Sequence, residues 1–308
     1  MNWQKKAYIQ NLIAILPTKL GDIIYYFLQR SFGGLRKKNN LEITELNASL
    51  KIWKTIINDN QDPKNKIFLE IGTGRVPSIP IYLWLMGANK IYTFDIQKLL
   101  KKSLLNEFIE NLISNEIKIK SLLGEYINNE RYNKLKLIAF DQIDIKKFFN
   151  IIYEAPASAG ETFLKDNEID FCFSHNVFEH IDEINLKKII VENKRILKEN
   201  GLMIHFIDYS DHFSHDDSKI SPINFLKYSE FEWKKLAGNR FMFMNRLRHD
   251  DFTNMFIKLG LKIKSTETEF DQISNTYLKE GKIVPSERFK LKSHEILSIR
   301  NSWFKLSN

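Results

Sequence analysis

Cysteine is almost absent from this chain of 308 residues, with Cys172 the single example. That excludes an internal disulfide and a thiolate metal cluster, and it makes a reducing cytoplasm the expected setting. No apolar run approaches the roughly 20 residues that a membrane-spanning helix needs, so a soluble protein is expected. Residues 1–20 lack the apolar core and small-residue cleavage site of a secretory leader. Internal repeats are missing too. Acidic side chains are the scarcer charge, 38 against 46 basic ones, for a net +8. The excess is local: within residues 1–40, Lys5, Lys6, Lys19, Arg30, Arg36, Lys37 and Lys38 face only Asp22. The remainder is near balance, and the aromatic residues follow core spacing rather than a base-stacking pattern, so a nucleic-acid partner is not expected.

What is present suits an α/β domain of about 200 residues with additions. The segment Lys66-Ile-Phe-Leu-Glu70-Ile-Gly72-Thr73-Gly74-Arg75 reads as a strand ending in an acid and a Gly-x-Gly turn, and Lys90-Ile-Tyr-Thr-Phe-Asp95 as the next strand. Such a turn brings backbone N–H groups close to a nucleotide-like ligand, and an acid at the tip of the second strand can hold a ribose diol. A dinucleotide fingerprint needs a third glycine where this chain has Pro77. Glu70 would also repel a pyrophosphate, whereas it suits a ligand that carries an ammonium group.

These residues resemble motif I (Glu-x-Gly-x-Gly) and motif II of the class I S-adenosyl-L-methionine-dependent methyltransferases, of the type 11-like kind. A third segment strengthens the resemblance: Asp170-Phe-Cys-Phe-Ser174-His175-Asn176-Val-Phe-Glu179-His180 matches the family's aspartate, apolar strand, serine and x-x-Leu-Glu-His pattern at strand four. The resemblance implies a Rossmann-like, seven-stranded, mostly parallel sheet with an antiparallel last strand. It implies S-adenosyl-L-methionine as cofactor, held by Glu70, Gly72, Thr73, Gly74, Asp95 and Ile96, with Ala157, Ser158 and Ala159 at the adenine and Ser174 and His175 nearby. Ser158 stands where many members place an aspartate. No NPPY-like tetrapeptide follows strand four, which disfavours amino-methylation of adenine or glutamine by that route.

The additions are read from periodicity. Residues 1–48 form a basic helical arm, expected as helices 3–16 and 20–32 with apolar faces at Ile9, Leu12, Ile13, Leu16 and at Ile23, Ile24, Phe27, Leu28. Such a pair can pack on the domain or lie on an anionic membrane surface, so contact with the inner face of a membrane is a candidate partner interaction. Residues 49–308 form the methyltransferase domain, with a helical lid at 97–149 and a substrate-recognition insertion at 208–249. Strand six is expected at 261–269 and the last strand at 296–305.

Chemistry beyond the cofactor is sought where strand five delivers side chains. His205, Asp208, Asp211, His212, His215, Asp216 and Asp217 crowd one stretch. Methyl transfer to a hydroxyl needs a positioned base, and a neutral histidine oriented by an aspartate suits it. His205 and His212 are the first candidates, with Asp208 or Asp211 as partner, then His180. The same side chains could instead hold a divalent metal that polarises the acceptor. Glu179-His180 resembles part of a metal-binding segment, but Asn176 stands where a first acid would, and no metal site is assigned.

Residues 205–249 resemble a bacterial subgroup of methyltransferases associated with surface polysaccharide biosynthesis. That implies O-methylation of a sugar, glycan or glycolipid, with Tyr228 and Trp233 stacking on a ring and Asp211, Asn245 and Arg246 binding polar groups. Two alternatives stay open: a metal-dependent methyltransferase of another small molecule, and a non-catalytic binding module on the same scaffold.

Overall fold

The computed structural model describes residues 2–37, 41, 43–140 and 143–308; Lys38, counted above with the basic arm, lies outside the described residues. Helices α1 (Trp3–Ile15), α2 (Thr18–Phe32) and α3 (Thr44–Ile57) precede strand β1 (Ile67–Ile71). Helix α4 (Ser78–Met86) leads to β2 (Lys90–Phe94). Helices α5 (Lys102–Ser114), α6 (Glu116–Leu123), α7 (Asn129–Leu135) and α8 (Ile145–Phe149) then lead to β3 (Ile151–Glu154). After β4 (Ile169–His175) come α9 (Glu183–Ile196), β5 (Leu197–Asp208), α10 (Glu230–Ala237), α11 (His249–Lys258) and β6 (Lys262–Phe270). The chain closes with α12 (Gln272–Lys279), α13 (His294–Leu297) and β7 (Ile299–Ser307).

The seven strands form one sheet in the order β3-β2-β1-β4-β5-β7-β6. Pairing is parallel from β3 through β5, and β7 runs antiparallel to both neighbours. This is the Rossmann-like class I methyltransferase arrangement expected from the sequence. The apolar runs of β1 and β4 follow from burial on both faces, as parallel strands require. Phe68 and Phe171 are partners in register and face a core built with α3, α4 and the 102–149 helices. Leu69 and Cys172, one position on, face a second core built with α9 and α11. Alternation of side chains along the strand produces both. Strand order reverses between β1 and β4, and the crevice at their carboxyl ends is where ligands bind in such sheets.

Several boundaries differ from expectation. Helix α3 spans residue 48, where the arm was expected to end, and Leu46, Ile52, Trp53 and Ile56 bury themselves in the first core. Strand β5 starts at Leu197, upstream of the Asn200-Gly201 break, with a register irregularity between Ile169 and Phe171 absorbing the early start. Residues 294–297 form α13, so β7 begins at Ile299. Helix α1 packs through Trp3 and Ala7 onto a third core of Phe213, Phe225 and Trp233. Ile9 and Leu12 of the anticipated face remain exposed. The Trp3 ring decides this orientation, lying 5.4 Å from Phe213 and 5.9 Å from Tyr228.

Candidate active site

A cavity of about 1390 Å³ opens at the carboxyl ends of β1, β2 and β4, walled by α5, by the chain after α2 and by residues 240–243. It exceeds the roughly 300–1,000 Å³ of an ordinary single-ligand pocket, which leaves room for a cofactor and an acceptor together.

The β1–α4 turn forms its floor. Gly72 has φ +83°, and a Cβ there would stand 2.5 Å from the Val177 side chain, so the β1 and β4 loops pack closely only because the side chain is missing. Gly74 has φ +67° and open space where a Cβ would be, which leaves its backbone bare toward the cavity. Its N–H donates to Asp95 Oδ2 at 2.9 Å, while Gln97 N–H donates to Oδ1 at 2.8 Å. Each oxygen keeps a further lone pair, so the carboxylate is oriented and still able to accept. Burial raises the Asp95 pKa, and the two backbone bonds oppose that rise.

Glu70 is buried at the cavity wall and accepts a hydrogen bond from Thr93 Oγ1 at 2.6 Å. Thr93 Oγ1 also meets Thr73 Oγ1. Burial pushes the Glu70 pKa up to about 8; the Thr93 bond opposes this and the charge of Asp95 adds to it. A buried carboxyl without a cation at a cavity wall fits a cationic ligand, whose arrival would hold it ionised. These features fit the methionine end and ribose of S-adenosyl-L-methionine. Ile96, Ala157, Ser158, Ala159 and His175 line the same cavity. Ser158 Oγ accepts from Gly160 N–H at 3.1 Å, an intraloop bond that fixes the loop.

Ser174 is the expected cofactor residue placed elsewhere. It is fully buried and bonds His205 Nδ1 at 2.9 Å. His205 is likewise enclosed, with its ring 4.4 Å from Phe178, and burial holds its pKa down at about 3. It lies off the cavity wall. The next residue in β4, His175, points the other way and stacks on Phe206 with centroids 4.8 Å apart. Strand parity separates the two histidines.

Of the four candidate catalytic groups, only His180 lines the cavity. The carbonyl of Phe243 can only accept, so the 2.8 Å contact with His180 Nδ1 makes that nitrogen the donor and leaves Nε2 with a lone pair. His180 is exposed where it meets the cavity, with the Phe243 carbonyl and the His212 ring packed against it. That packing, with the His212 ring 4.8 Å away, holds its pKa below the usual histidine range. His212 Nε2 lies 3.6 Å from Asp208 Oδ2 and makes no hydrogen bond. Burial works against ionised Asp208, but the nearby His212 imidazole and the Ser210 N–H donated to Oδ1 at 2.8 Å outweigh it and hold the carboxyl below its ordinary range.

None of the five expected acceptor groups lines the cavity. Asp211 is buried, accepts from Phe213 N–H at 2.9 Å and Asn224 Nδ2 at 3.2 Å, and has its pKa raised to about 6 by burial. Tyr228 and Trp233 belong to the third core. Arg246 is buried and donates to the carbonyls of Phe225 and Tyr228 and to Glu230. Asn245 Nδ2 donates to the carbonyls of Phe178 and Ile181 at 2.7 and 2.8 Å, and its N–H donates to the Glu179 carbonyl. It clamps the turn that carries Glu179 and His180. Other groups reach the cavity instead: Arg30, Arg36 and Lys37 of the arm, and Arg240, Phe241 and Phe243. The basic clustering before residue 40 was the available signal for the first three.

A family model described as a methyltransferase domain matches residues 136–205. Among curated proteins, no sequence matches the chain. Similar solved structures include a Pyrococcus horikoshii OT3 protein, PH0226, at 13% identity and TM-score 0.48, covering 92% of this chain and 98% of that one. Geranyl diphosphate C-methyltransferase from Streptomyces coelicolor A3(2) has 8% identity and TM-score 0.47, covering 85% and 79%. An S-adenosylmethionine-dependent methyltransferase from Mesorhizobium loti has 10% identity and TM-score 0.44, covering 83% and 97%. The chain therefore joins a class I methyltransferase sheet to a methyltransferase-domain match that runs through β3, β4 and most of β5.

Proposed function

We propose that the protein is an S-adenosyl-L-methionine-dependent methyltransferase that O-methylates a hydroxyl of a small-molecule or glycan acceptor. The observation that carries this reading is the cavity at the strand-order reversal, where Glu70, bare Gly74 and oriented Asp95 converge. S-adenosyl-L-methionine supplies a methyl group on a sulfonium, displaced in line with the C–S electron pair left on sulfur. Glu70 faces the ammonium end, Asp95 accepts from the ribose hydroxyls, and residues 157–159 border the adenine. His180, neutral and with Nε2 unprotonated, takes the hydroxyl proton of the acceptor. His212 stands behind it, tied electrostatically to Asp208.

The acceptor enters between the arm and residues 240–243. Phe243 is 39% exposed there, enough ring surface for a sugar or other flat group to stack on. Arg36 at the cavity favours an acceptor with an anionic substituent, while Lys37 and Arg240 are paired with Glu110 and Asp22. The glycan reading thus rests on Phe243, since Phe241 is stacked on Tyr25, and Tyr228 and Trp233 pack in the third core. Calorimetric titration with S-adenosyl-L-methionine and with NAD tests the cofactor: saturation by the first alone is expected, and binding of neither would leave a scaffold without turnover.

A second property is proposed for the arm. Ile15 is 80% exposed, Ile23 66%, Phe27 63% and Phe32 72%, on helices that also carry Lys5 and Lys19. No helix of the described residues is long and apolar enough to cross a membrane. Exposed apolar side chains on lysine-bearing helices suit peripheral contact with the inner face of an anionic membrane. Co-sedimentation with anionic and neutral vesicles tests it.

A further inference from the structure

We propose that Glu179, His180 and His212 bind one divalent transition-metal ion at the wall of the cavity. One ligand atom from each lies within 4.8 Å of the others. An ion with ligands at about 2.1 Å holds them roughly 3–4 Å apart, so small side-chain rotations close the site. Glu179 is 2% exposed, and neither carboxylate oxygen has a hydrogen-bond partner among the described residues. Buried carboxylates are ordinarily paired, hydrogen-bonded or bound to metal. His212 Nε2 is buried as well, with Asp208 Oδ2 3.6 Å away and no hydrogen-bond partner among the described residues. His180 has its Nδ1 proton committed to the Phe243 carbonyl, the arrangement that points the opposite nitrogen at a metal.

The site is also held in place. Asn245 bonds the backbone of the Glu179–His180 turn at three points, and Asp211 caps the turn that starts at His212. Asp208 Oδ2, 3.6 Å from the Nε2 atoms of both His212 and His215, adds negative charge that a dication offsets. Two imidazoles and one carboxylate select Zn²⁺, Mn²⁺, Fe²⁺ or Co²⁺ over Ca²⁺ or Mg²⁺. Three protein ligands leave a position open, and His180 places it against the cavity.

The role of the ion rests on the methyl-transfer reading and replaces only its base: with Nε2 on the ion, His180 no longer takes the acceptor's proton. The ion takes up the imidazole lone pairs otherwise spent on proton transfer. The acceptor hydroxyl fills the open position and loses its proton to water as its pKa falls. Its oxygen lone pair forms the new C–O bond while the C–S pair leaves with sulfur.

The test is titration of chelator-treated full-length protein with Co²⁺, read by visible absorption and by metal content after dialysis. One tightly held equivalent, displaced by Zn²⁺ and weakened at least tenfold in Glu179→Gln and in His212→Ala, is expected; His294→Ala should leave it unchanged. Cu²⁺ electron paramagnetic resonance of the unaltered protein removes any dependence on variant folding, and coupling to two nitrogens is expected. No retained Co²⁺, uptake indifferent to both variants, or a spectrum without paired nitrogens would overturn the site. S-adenosyl-L-methionine titration of the same sample separates the failures: cofactor binding without metal defeats this inference alone, and metal binding without cofactor defeats the methyl-transfer reading.

Discussion

The two ends of the cavity use polar side chains in opposite ways. At β1 and β2, the Glu70 and Asp95 carboxyls reach the cavity and keep bonding capacity in reserve. Between residues 208 and 249, Asp211, Asn245, Arg246 and Arg248 spend theirs inside the protein on carbonyls and turn N–H groups. A polar residue near a site is a ligand group only if the fold has not already consumed its bonds. The second region has the greater density of chemically suggestive residues, and most of that density is structural.

Substitutions should break the molecule in different ways on the two sides. The largest effect is expected for Arg248→Ala. Arg248 is fully buried and donates to the carbonyls of Tyr209, Leu297 and Ile299. Its loss strands three acceptors and should cost about 3 kcal/mol or more in chemical denaturation. A stable variant with altered turnover would reverse the assignment.

Asp95→Ala should cost about 1–2 kcal/mol of stability, since the Gly74 and Gln97 N–H groups lose their acceptor, and weaken S-adenosyl-L-methionine binding by about 2 kcal/mol, roughly thirtyfold, since a charged acceptor is lost. Equal affinity in the variant would remove Asp95 from the site.

Glu70 sharpens the contrast through pH. Its folded pKa of about 8 lies above the ordinary carboxyl value of 4.5, so the folded state holds the extra proton between those limits. Stability from this group therefore falls as pH rises from 4.5 toward 8 and then levels. A cationic ligand favours the ionised form, so its affinity should rise with pH by up to roughly tenfold per unit and flatten above about 8. Glu70→Gln should flatten the whole profile.

Smaller effects are expected from Trp233→Phe, about 1 kcal/mol of stability with the KM for acceptor unmoved, because the ring packs in the third core. Phe27→Glu should alter neither stability nor turnover and should reduce only sedimentation with anionic vesicles; unchanged sedimentation would dispose of the membrane contact.

The legibility of the chain follows the range of the interactions involved. Gly72, Gly74 and Asp95 act within a turn and the next strand tip, so local spacing places them. Even there, one step of strand parity separates His175 on the cavity from Ser174 buried against His205. Tyr228 and Trp233 were unreadable because their environment includes Trp3, more than 220 residues away, and Phe289 organises the other side of that core. The arm's basic residues were visible as charge, but their position at the cavity mouth depends on contacts such as Arg30 with Glu107 and Arg240 with Asp22. Glu179 was visible beside His180, while its lack of a partner is a fact of packing alone.

The most direct measurement is calorimetric titration of S-adenosyl-L-methionine across pH 6 to 9, repeated in buffers of different ionisation enthalpy to count protons. The account predicts one site per chain, with close to one proton released per ligand bound below pH 8 in the native protein and none in Glu70→Gln. Binding without proton release, or no saturable binding at any pH, would contradict it.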